Sequence, residues 1–180
     1  MDREVRSGIW TPHEGVQLLG KTLGVIGLGG IGREVARIGK GMGMKVIGWN
    51  RTKHADITVP LVELDELLAN SDVISMNLTL GDETRGFLSK ERIARVKKGV
   101  IYVNTARGAL ADEEALIAAL KSGHIRHAGL DVFHNEPLKA DHPLAQLPNV
   151  TLTAHAAFRT LEASQTLLRR AIDIVKKLVA

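Results

Sequence analysis

The sequence of 180 residues contains no cysteine. It can therefore form neither a disulfide framework nor a thiolate-based catalytic site. No apolar run approaches the ~20 residues of a membrane span, and the N-terminus has no apolar stretch of the signal-peptide kind, so we expect a cytoplasmic protein with no membrane partner. Blocks of like charge are also missing, because the formal net charge is only +4 and acids alternate with bases, as in Lys90-Glu91-Arg92. This pattern argues against nucleic-acid binding.

A glycine motif follows the first apolar run of the chain, Leu23–Ile26. Gly27, Gly29 and Gly32 form a G-x-G-x-x-G pattern and open a stretch of helical periodicity. The first glycine allows a tight turn, the second lets the backbone approach a pyrophosphate, and the third allows close packing of helix on strand. The backbone N–H groups of Gly30 and Ile31 would face the phosphates at the positive end of the helix. This context predicts a dinucleotide cofactor.

Short apolar runs alternate with helical patterns along the whole chain, which predicts a parallel sheet covered by helices on both faces. The predicted strands are Leu23–Ile26, Lys45–Trp49, Val73–Leu78, Val100–Asn104, His127–Val132 and Val150–Thr153. Helices are predicted to start near Gly32, Leu64, Ser89, Asp112 and Thr160. In the first helix, a stripe of Val35, Ile38 and Met42 should face the sheet. The first twenty residues and Asn135–Asn149 are predicted to be irregular.

The predicted fold class is therefore α/β, with a doubly wound Rossmann-type parallel sheet in three αβα layers. This dinucleotide-binding domain should span residues 21–180, behind an N-terminal crossover segment of residues 1–20.

The segment after the second predicted strand bears on the choice of cofactor. An acid that binds the adenosine ribose is expected about 20 residues past the glycine motif. Asn50, Arg51 and Thr52 stand there instead. An arginine at this place can accommodate a 2′-phosphate, so NADP is the favoured cofactor and NAD the alternative. Arg51 could also be an ordinary solvated loop charge.

Polar side chains follow three later predicted strands. Arg107 comes after the fourth strand, Asp131 and Glu136 come at and after the fifth, and His155 follows the sixth. The carboxyl ends of parallel strands meet at one edge of the sheet. A cation, carboxylates and a histidine at that edge suit acid–base chemistry on an anionic substrate. Taken singly, each residue has a structural reading, as an ion-paired arginine, a loop carboxylate or a hydrogen-bonded histidine.

Four ordered motifs resemble the signature series of the D-isomer-specific 2-hydroxyacid dehydrogenases, from about residue 5 to the end of the chain. They are Gly27–Gly32, Asn104–Gly108, Gly129–Phe133 with Glu136-Pro137, and Leu152–His155. The resemblance implies an NAD(P)-dependent oxidoreductase that interconverts 2-oxo acids and D-2-hydroxy acids. By motif, Arg107 would bind the substrate carboxylate, His155 would donate the proton, and Glu136 would pair with His155. A neighbouring carboxylate favours the imidazolium form of a histidine and fixes its tautomer.

The resemblance also implies contacts around the nicotinamide. Asp131 corresponds to a family residue near the nicotinamide amide, and the backbone of Thr105 and Ala106 approaches the same ring. Arg107 and His155 border this site. The chain departs from the family pattern at Ala154, where proline is common. No metal is implied, since the other histidines, among them His13 and His54, lack ligand spacing.

Family members consist of two domains with the active site between them, and the substrate domain comes largely from sequence before the nucleotide domain. The chain begins shortly before the glycine motif, so we expect it to lack the substrate domain and to bind cofactor with little or no turnover. Expected partners are that domain of the same polypeptide, a small 2-oxo or 2-hydroxy acid, and a second copy in a homodimer that involves Arg6–Trp10. The alternative is a stand-alone dinucleotide-binding or redox-sensing module, which the complete set of Arg107, Glu136 and His155 disfavours.

Overall fold

A computed structural model describes residues 2–12, 14–52 and 58–179 of the chain. In these residues a six-stranded parallel sheet has the order β2-β1-β3-β4-β5-β6. The strands are β1 (Thr22–Ile26), β2 (Lys45–Trp49), β3 (Val73–Met76), β4 (Val100–Asn104), β5 (Ile125–Leu130) and β6 (Val150–Leu152). The helices are α1 (Asp2–Arg6), α2 (Gly30–Gly41), α3 (Leu64–Asn70), α4 (Lys90–Arg95), α5 (Glu113–Lys121), α6 (Pro143–Gln146) and α7 (Leu161–Val179), with a 3₁₀ turn at Gly108–Leu110.

The strand order reverses at β1, which lies between β2 and β3. A parallel bridge between Gly48 and Leu61 extends the sheet beyond β2. In doubly wound sheets, ligands bind at the carboxyl ends of the strands where the order reverses. The turn that follows β1 and contains Gly27 occupies this position.

Alternate residues of β1 face opposite sides of the sheet, as the period of a strand requires. Leu23 and Val25 belong to a buried cluster that includes Ala36 of α2. Ile26 belongs to a second cluster, which includes Leu67 of α3 and continues into α4 and α5. Helices thus cover both faces, and the predicted three-layer Rossmann-type fold is confirmed.

The face of α2 that packs on the sheet differs from the predicted stripe. Its buried positions are small: Gly32, Ala36 and Gly39. A Cβ atom at Gly39 would lie 2.5 Å from Cδ2 of Leu23, so the helix approaches β1 too closely for large side chains. Ile38 and Met42 are 44% and 54% exposed. The prediction that they face the sheet was wrong, and Val35 is only partly buried.

Most predicted strands and helices are present, with shifted ends. The third predicted strand stops at Met76, two residues early, and the fifth lies at Ile125–Leu130. α1 and α6 were missed because they lie in stretches predicted to be irregular. In α6, Pro143 occupies the first turn, where a proline is tolerated, and the side chain of His142 accepts a hydrogen bond from the N–H of Leu144.

The long helix α7 lies at the end of the chain, as its periodicity predicts, yet none of its side chains is buried. No described helix combines the length and apolarity needed to cross a bilayer.

Candidate functional site

The glycine motif forms the turn between β1 and α2. Gly27 has a φ of +91°, and a Cβ atom there would lie 2.9 Å from the backbone of Asn77. A Cβ atom at Gly32 would lie 1.9 Å from the carbonyl oxygen of Gly27, because the helix start rests on the turn. Gly29 and Gly30 face open space. The turn therefore leaves an accessible backbone cradle that fits a pyrophosphate group.

The first turn of α2 supports this fit electrostatically. It begins at Gly30 and contains no acidic side chain. The first N–H groups of a helix have no partner within the helix, and the dipole places positive charge there. The sequence Gly30-Ile31-Gly32 thus presents an anion-binding helix start at the carboxyl edge of the sheet.

A pocket of about 550 Å³ adjoins the glycine turn. We call it the β2 pocket. Its lining comes from the turn, from Trp49–Arg51 after β2, and from the loop after β3: Gly27, Gly29, Trp49, Asn50, Arg51, residues 77–84 and Phe87. The volume is in the range of small-molecule sites. On its rim, Arg51 pairs with Glu83.

Asn50 connects this pocket to the turn. Its side-chain Oδ1 accepts a hydrogen bond from the N–H of Leu28 at 2.9 Å, and its Nδ2 donates to the carbonyl oxygen of Thr52 at 2.6 Å. Both ends of the amide thus hold backbone segments together. The contacts of Asn50, Arg51 and Thr52 with a cofactor stay predictions.

A second pocket, of about 280 Å³, lies over the loop after β4. We call it the β4 pocket. It is lined by Ile31, residues 77–80, Thr105, Ala106 and Arg107. Asn104 shapes the loop, because its Oδ1 accepts from the N–H of Ala106 at 3.0 Å and its Nδ2 donates to the carbonyl oxygen of Arg107 at 2.9 Å. Three of the residues predicted to lie near the nicotinamide ring, Thr105, Ala106 and Arg107, thus line one pocket, whereas Asp131 and His155 do not line it.

His155 and Glu136 form a direct pair, with 2.7 Å between Nδ1 and Oε2. The other oxygen of Glu136 accepts from the N–H of Phe133 at 3.0 Å. The hydrogen bond from His155, then that from Phe133, and to a smaller extent the charge of Arg107 hold the pKa of Glu136 below its usual range. An ionised carboxylate only accepts, so Nδ1 carries the proton in this contact and Nε2 remains for a substrate.

Arg107 completes the cluster predicted at this edge. It precedes the 3₁₀ turn after β4, is exposed, and donates from Nη1 to the carbonyl oxygen of Ala106 at 2.6 Å. Its charge acts on Glu136. Strand ends of β4, β5 and β6 thus place a guanidinium, a carboxylate and an imidazole in one region.

Asp131 accepts hydrogen bonds from the segment that carries His155. Its side chain is 3% exposed. The carboxylate accepts from Oγ1 of Thr153 at 2.5 Å and from the N–H groups of Ala156 and Ala157, each at 2.9 Å. Burial alone would raise the pKa of Asp131, but these hydrogen bonds outweigh it and hold the pKa below its usual range. The predicted contact of Asp131 with a nicotinamide amide stays a prediction.

Sequence reasoning did not assign roles to Glu83 and Thr153. Phe158 lies edge-on to the His155 ring, with 6.2 Å between ring centroids. Glu83 could have been found, since it follows β3 at the same sheet edge as the other candidates. The third strand was predicted two residues too long, which hid the start of the loop that carries Glu83.

A further open pocket, of about 600 Å³, borders the His155–Glu136 pair and is lined by Phe133, Glu136, Pro137, Leu138 and residues 152–155. No group of three or more potential metal ligands occurs among the described residues. His13 and His54 lie outside those residues.

The reversed strand order, the glycine cradle and the two pockets define a dinucleotide-binding α/β domain. Of the acid–base cluster, Arg107 lines the β4 pocket, and Glu136 and His155 line the open pocket of about 600 Å³. The chain belongs to the D-isomer specific 2-hydroxyacid dehydrogenase family, since the sequence profile of that family's NAD binding domain matches residues 1–157. The resemblance of the four motifs is thereby confirmed.

Individual relatives agree with this assignment. Glyoxylate reductase of Aeropyrum pernix is 45% identical in an alignment that covers 98% of this chain and 53% of the relative. D-Lactate dehydrogenase of Aquifex aeolicus, solved with NAD and lactic acid, superposes with a TM-score of 0.87 at 33% identity, covering 99% of this chain and 60% of that one. A D-isomer specific 2-hydroxyacid dehydrogenase of Xanthobacter autotrophicus, solved with NADPH, gives a TM-score of 0.76 at 40% identity, with coverages of 86% and 50%. The chain spans about half the length of these relatives.

Proposed function

We propose that this chain is the nucleotide-binding domain of an oxidoreductase that interconverts 2-oxo acids and D-2-hydroxy acids. The observation that carries the proposal is the His155–Glu136 pair at 2.7 Å, which lies at the same sheet edge as Arg107 and the glycine cradle. A pure binding module needs the cradle but has no need of the acid–base pair. The names of the relatives, which include glyoxylate and hydroxypyruvate reductases, support a small 2-oxo acid as substrate.

The glycine cradle would hold the cofactor pyrophosphate through the backbone of Gly29, Gly30 and Ile31. The β2 pocket would take the adenosine, and the β4 pocket, with Thr105 and Ala106, the nicotinamide. When bound, the nicotinamide ring supplies or accepts the hydride. Relatives have been solved with NADPH and with NAD, and Arg51 favours NADP as the cofactor, because its guanidinium suits a 2′-phosphate.

His155 acts as the proton donor. Its Nδ1–H donates a hydrogen bond to Glu136, which fixes the orientation of the ring. Nε2 then gives its proton to the oxygen of the 2-oxo group as that oxygen becomes a hydroxyl, and takes it back in the reverse direction. Glu136 stays ionised throughout, which its lowered pKa supports.

Arg107 binds and orients the substrate carboxylate. Its planar fork can donate two parallel hydrogen bonds to a carboxylate, and its charge polarises the neighbouring carbonyl group. The side chain is exposed and donates a hydrogen bond to the adjacent carbonyl oxygen of Ala106, so a substrate can recruit it at small cost.

Calorimetric titration of the chain with NADPH and NADH tests cofactor binding. We expect both to bind, NADPH more tightly, and Arg51→Ala to remove that difference. Unchanged NADPH affinity in Arg51→Ala would refute the role of Arg51 in 2′-phosphate binding.

Reduction of glyoxylate, hydroxypyruvate and pyruvate tests the chemistry. Because His155 and Arg107 lie on an open face, we expect little or no turnover by this chain alone. In the native gene product, Arg107→Ala, Glu136→Gln and His155→Ala should each lower kcat/KM strongly. Wild-type turnover in a variant would remove that residue from the mechanism, and cofactor binding without any turnover in the native gene product would support a redox-sensing module.

We also propose that the domain self-associates. The segment Arg6–Trp10 carries two adjacent exposed apolar side chains, Ile9 and Trp10. Contiguous exposed apolar surface is typical of interaction sites. Light scattering should detect a dimer, and a monomer at high concentration would count against it.

A further inference from the structure

An ion pair crosses the rim of the β2 pocket. Arg51, which follows β2, contacts through Nη1 the Oε2 atom of Glu83, which lies in the loop after β3. The side chains are 69% and 76% exposed. Both residues line the pocket that contains Gly27 and Gly29. A hydrated pair of this kind is weak, so Arg51 can exchange Glu83 for another anion.

Glu83 changes the electrostatics of the site around Arg51. Asp82 lies next to it and lines the same pocket, so two carboxylates accompany the arginine. A 2′-phosphate that binds Arg51 competes with the carboxylate of Glu83 for the guanidinium and lies near both acids. Like charges at such distances repel each other.

NADH lacks the 2′-phosphate, so the carboxylates of this pocket can attract it instead of repelling it. The free 2′-hydroxyl of its adenosine ribose can donate a hydrogen bond to a carboxylate. The acid expected for this purpose after β2 is absent, because Asn50 stands there and its amide is engaged by Leu28 and Thr52. Glu83 brings a carboxylate to the same pocket from the neighbouring loop.

We propose that Glu83 is a specificity-determining residue, which competes with the 2′-phosphate for Arg51 and so moderates the preference for NADPH over NADH. This inference rests on the proposed cofactor site. Exposed ion pairs contribute at most about 1 kcal/mol, and a tenfold change in affinity corresponds to about 1.4 kcal/mol. The release of Arg51 from Glu83 should therefore raise the NADPH affinity about two- to fivefold.

The test compares the affinities of NADPH and NADH by calorimetric titration of the chain and its variants. Glu83→Gln removes the charge that competes for Arg51 and keeps the shape of the side chain. Asp82→Asn is the matched control, because it removes the same charge from the same pocket and keeps the Arg51–Glu83 contact. Arg51→Gln and the double variant Arg51→Gln/Glu83→Gln measure the coupling between the two residues.

We expect Glu83→Gln to tighten NADPH two- to fivefold more than Asp82→Asn does, without tightening NADH. The gain should vanish in the Arg51→Gln background. Equal effects of Glu83→Gln and Asp82→Asn, a gain that persists without Arg51, or a gain shared by NADH would each overturn the inference and leave cofactor binding intact. Absence of binding of either cofactor to the wild-type chain would overturn the proposed cofactor site as well.

Discussion

The backbone N–H of His155 donates a hydrogen bond to the carbonyl oxygen of Asp131 at 2.8 Å, while the Asp131 carboxylate binds the next two N–H groups of the chain, those of Ala156 and Ala157. His155 has a φ of +48°, in the left-handed region that is unfavourable for residues with a side chain. Asp131 therefore holds the candidate proton donor by its main chain. Because Ala154 lacks the backbone restriction of a proline, these hydrogen bonds supply the restraint.

We expect Asp131→Asn to destabilise the chain by about 1.5–3 kcal/mol, because an amide has one acceptor oxygen and hydrogen bonds to a buried charged group are worth that much. Urea denaturation at neutral pH measures the difference. Asp141→Asn, which changes an exposed loop carboxylate, should alter stability by less than about 0.5 kcal/mol. Equal stabilities of Asp131→Asn and the wild type would contradict the role of the carboxylate.

The contribution of Asp131 to the free energy of unfolding should also depend on pH. Its pKa is lowered in the folded chain, so the stabilisation is complete above the unfolded pKa of about 3.9 and is lost as the pH falls toward the folded value. The stability difference between wild type and Asp131→Asn should shrink in acid below about pH 4. A difference that stays constant through this range would show that the variant acts by another route.

Glu136 provides a second test of the acid–base cluster. The hydrogen bond from His155 is the largest cause of its lowered pKa, and the charge of Arg107 is the smallest. NMR titration of the Glu136 carboxyl carbon should therefore give a clear rise of the pKa toward its usual range in His155→Gln and a smaller rise in Arg107→Gln. The reverse order would mean that Arg107, not His155, is the main partner of Glu136.

Local sequence features predicted the parts of the site that depend on short segments. Gly27 and Gly32 mark the turn because a Cβ atom at either position would meet backbone atoms, and Arg107 and His155 follow strands whose apolar runs are easily recognised. Contacts between distant segments could not be predicted in this way. The hydrogen bonds of Asp131 to residues 156–157, like the pairing of Arg51 with Glu83, depend on the spacing of neighbouring strands.

The buried face of α2 shows the same limit. The stripe of large apolar residues predicted that one face of α2 packs on the sheet. The face that does so is the one with Gly32, Ala36 and Gly39, because α2 lies too close to β1 for large side chains. Packing distance is a tertiary property, and the sequence alone did not reveal that small residues were required. α6 was missed for a different reason, because it lies in a stretch predicted to be irregular, although Pro143 suits the first turn of a helix.

Gly32→Ala should disrupt the cradle itself. The new Cβ atom would lie 1.9 Å from the carbonyl oxygen of Gly27, and this backbone atom cannot move aside as the end of a flexible side chain could. We expect a loss of stability of about 1–3 kcal/mol and weaker binding of both NADH and NADPH. Gly41→Ala, at the far end of α2 where a Cβ meets open space, should leave binding unchanged and stabilise the chain slightly. Similar behaviour of the two variants would contradict the close contact between turn and helix.

Asn50 and Arg51 should differ in their effects on the cofactors although they are adjacent. Asn50→Ala removes the acceptor for the N–H of Leu28 and the donor to the carbonyl oxygen of Thr52. The loosened turn forms the proposed pyrophosphate site, and NADH and NADPH share the pyrophosphate, so both affinities should fall by the same factor in calorimetric titrations.

Asn50→Asp refines this prediction. It keeps the acceptor for Leu28 but loses the donor to Thr52 and adds a negative charge at the rim of the β2 pocket. NADPH should therefore lose more affinity than NADH in Asn50→Asp, because only NADPH brings a 2′-phosphate near the new charge. If Asn50→Ala weakened NADPH alone, Asn50 would act on the 2′-phosphate directly, and its hydrogen bond to Leu28 would not be what supports the cofactor.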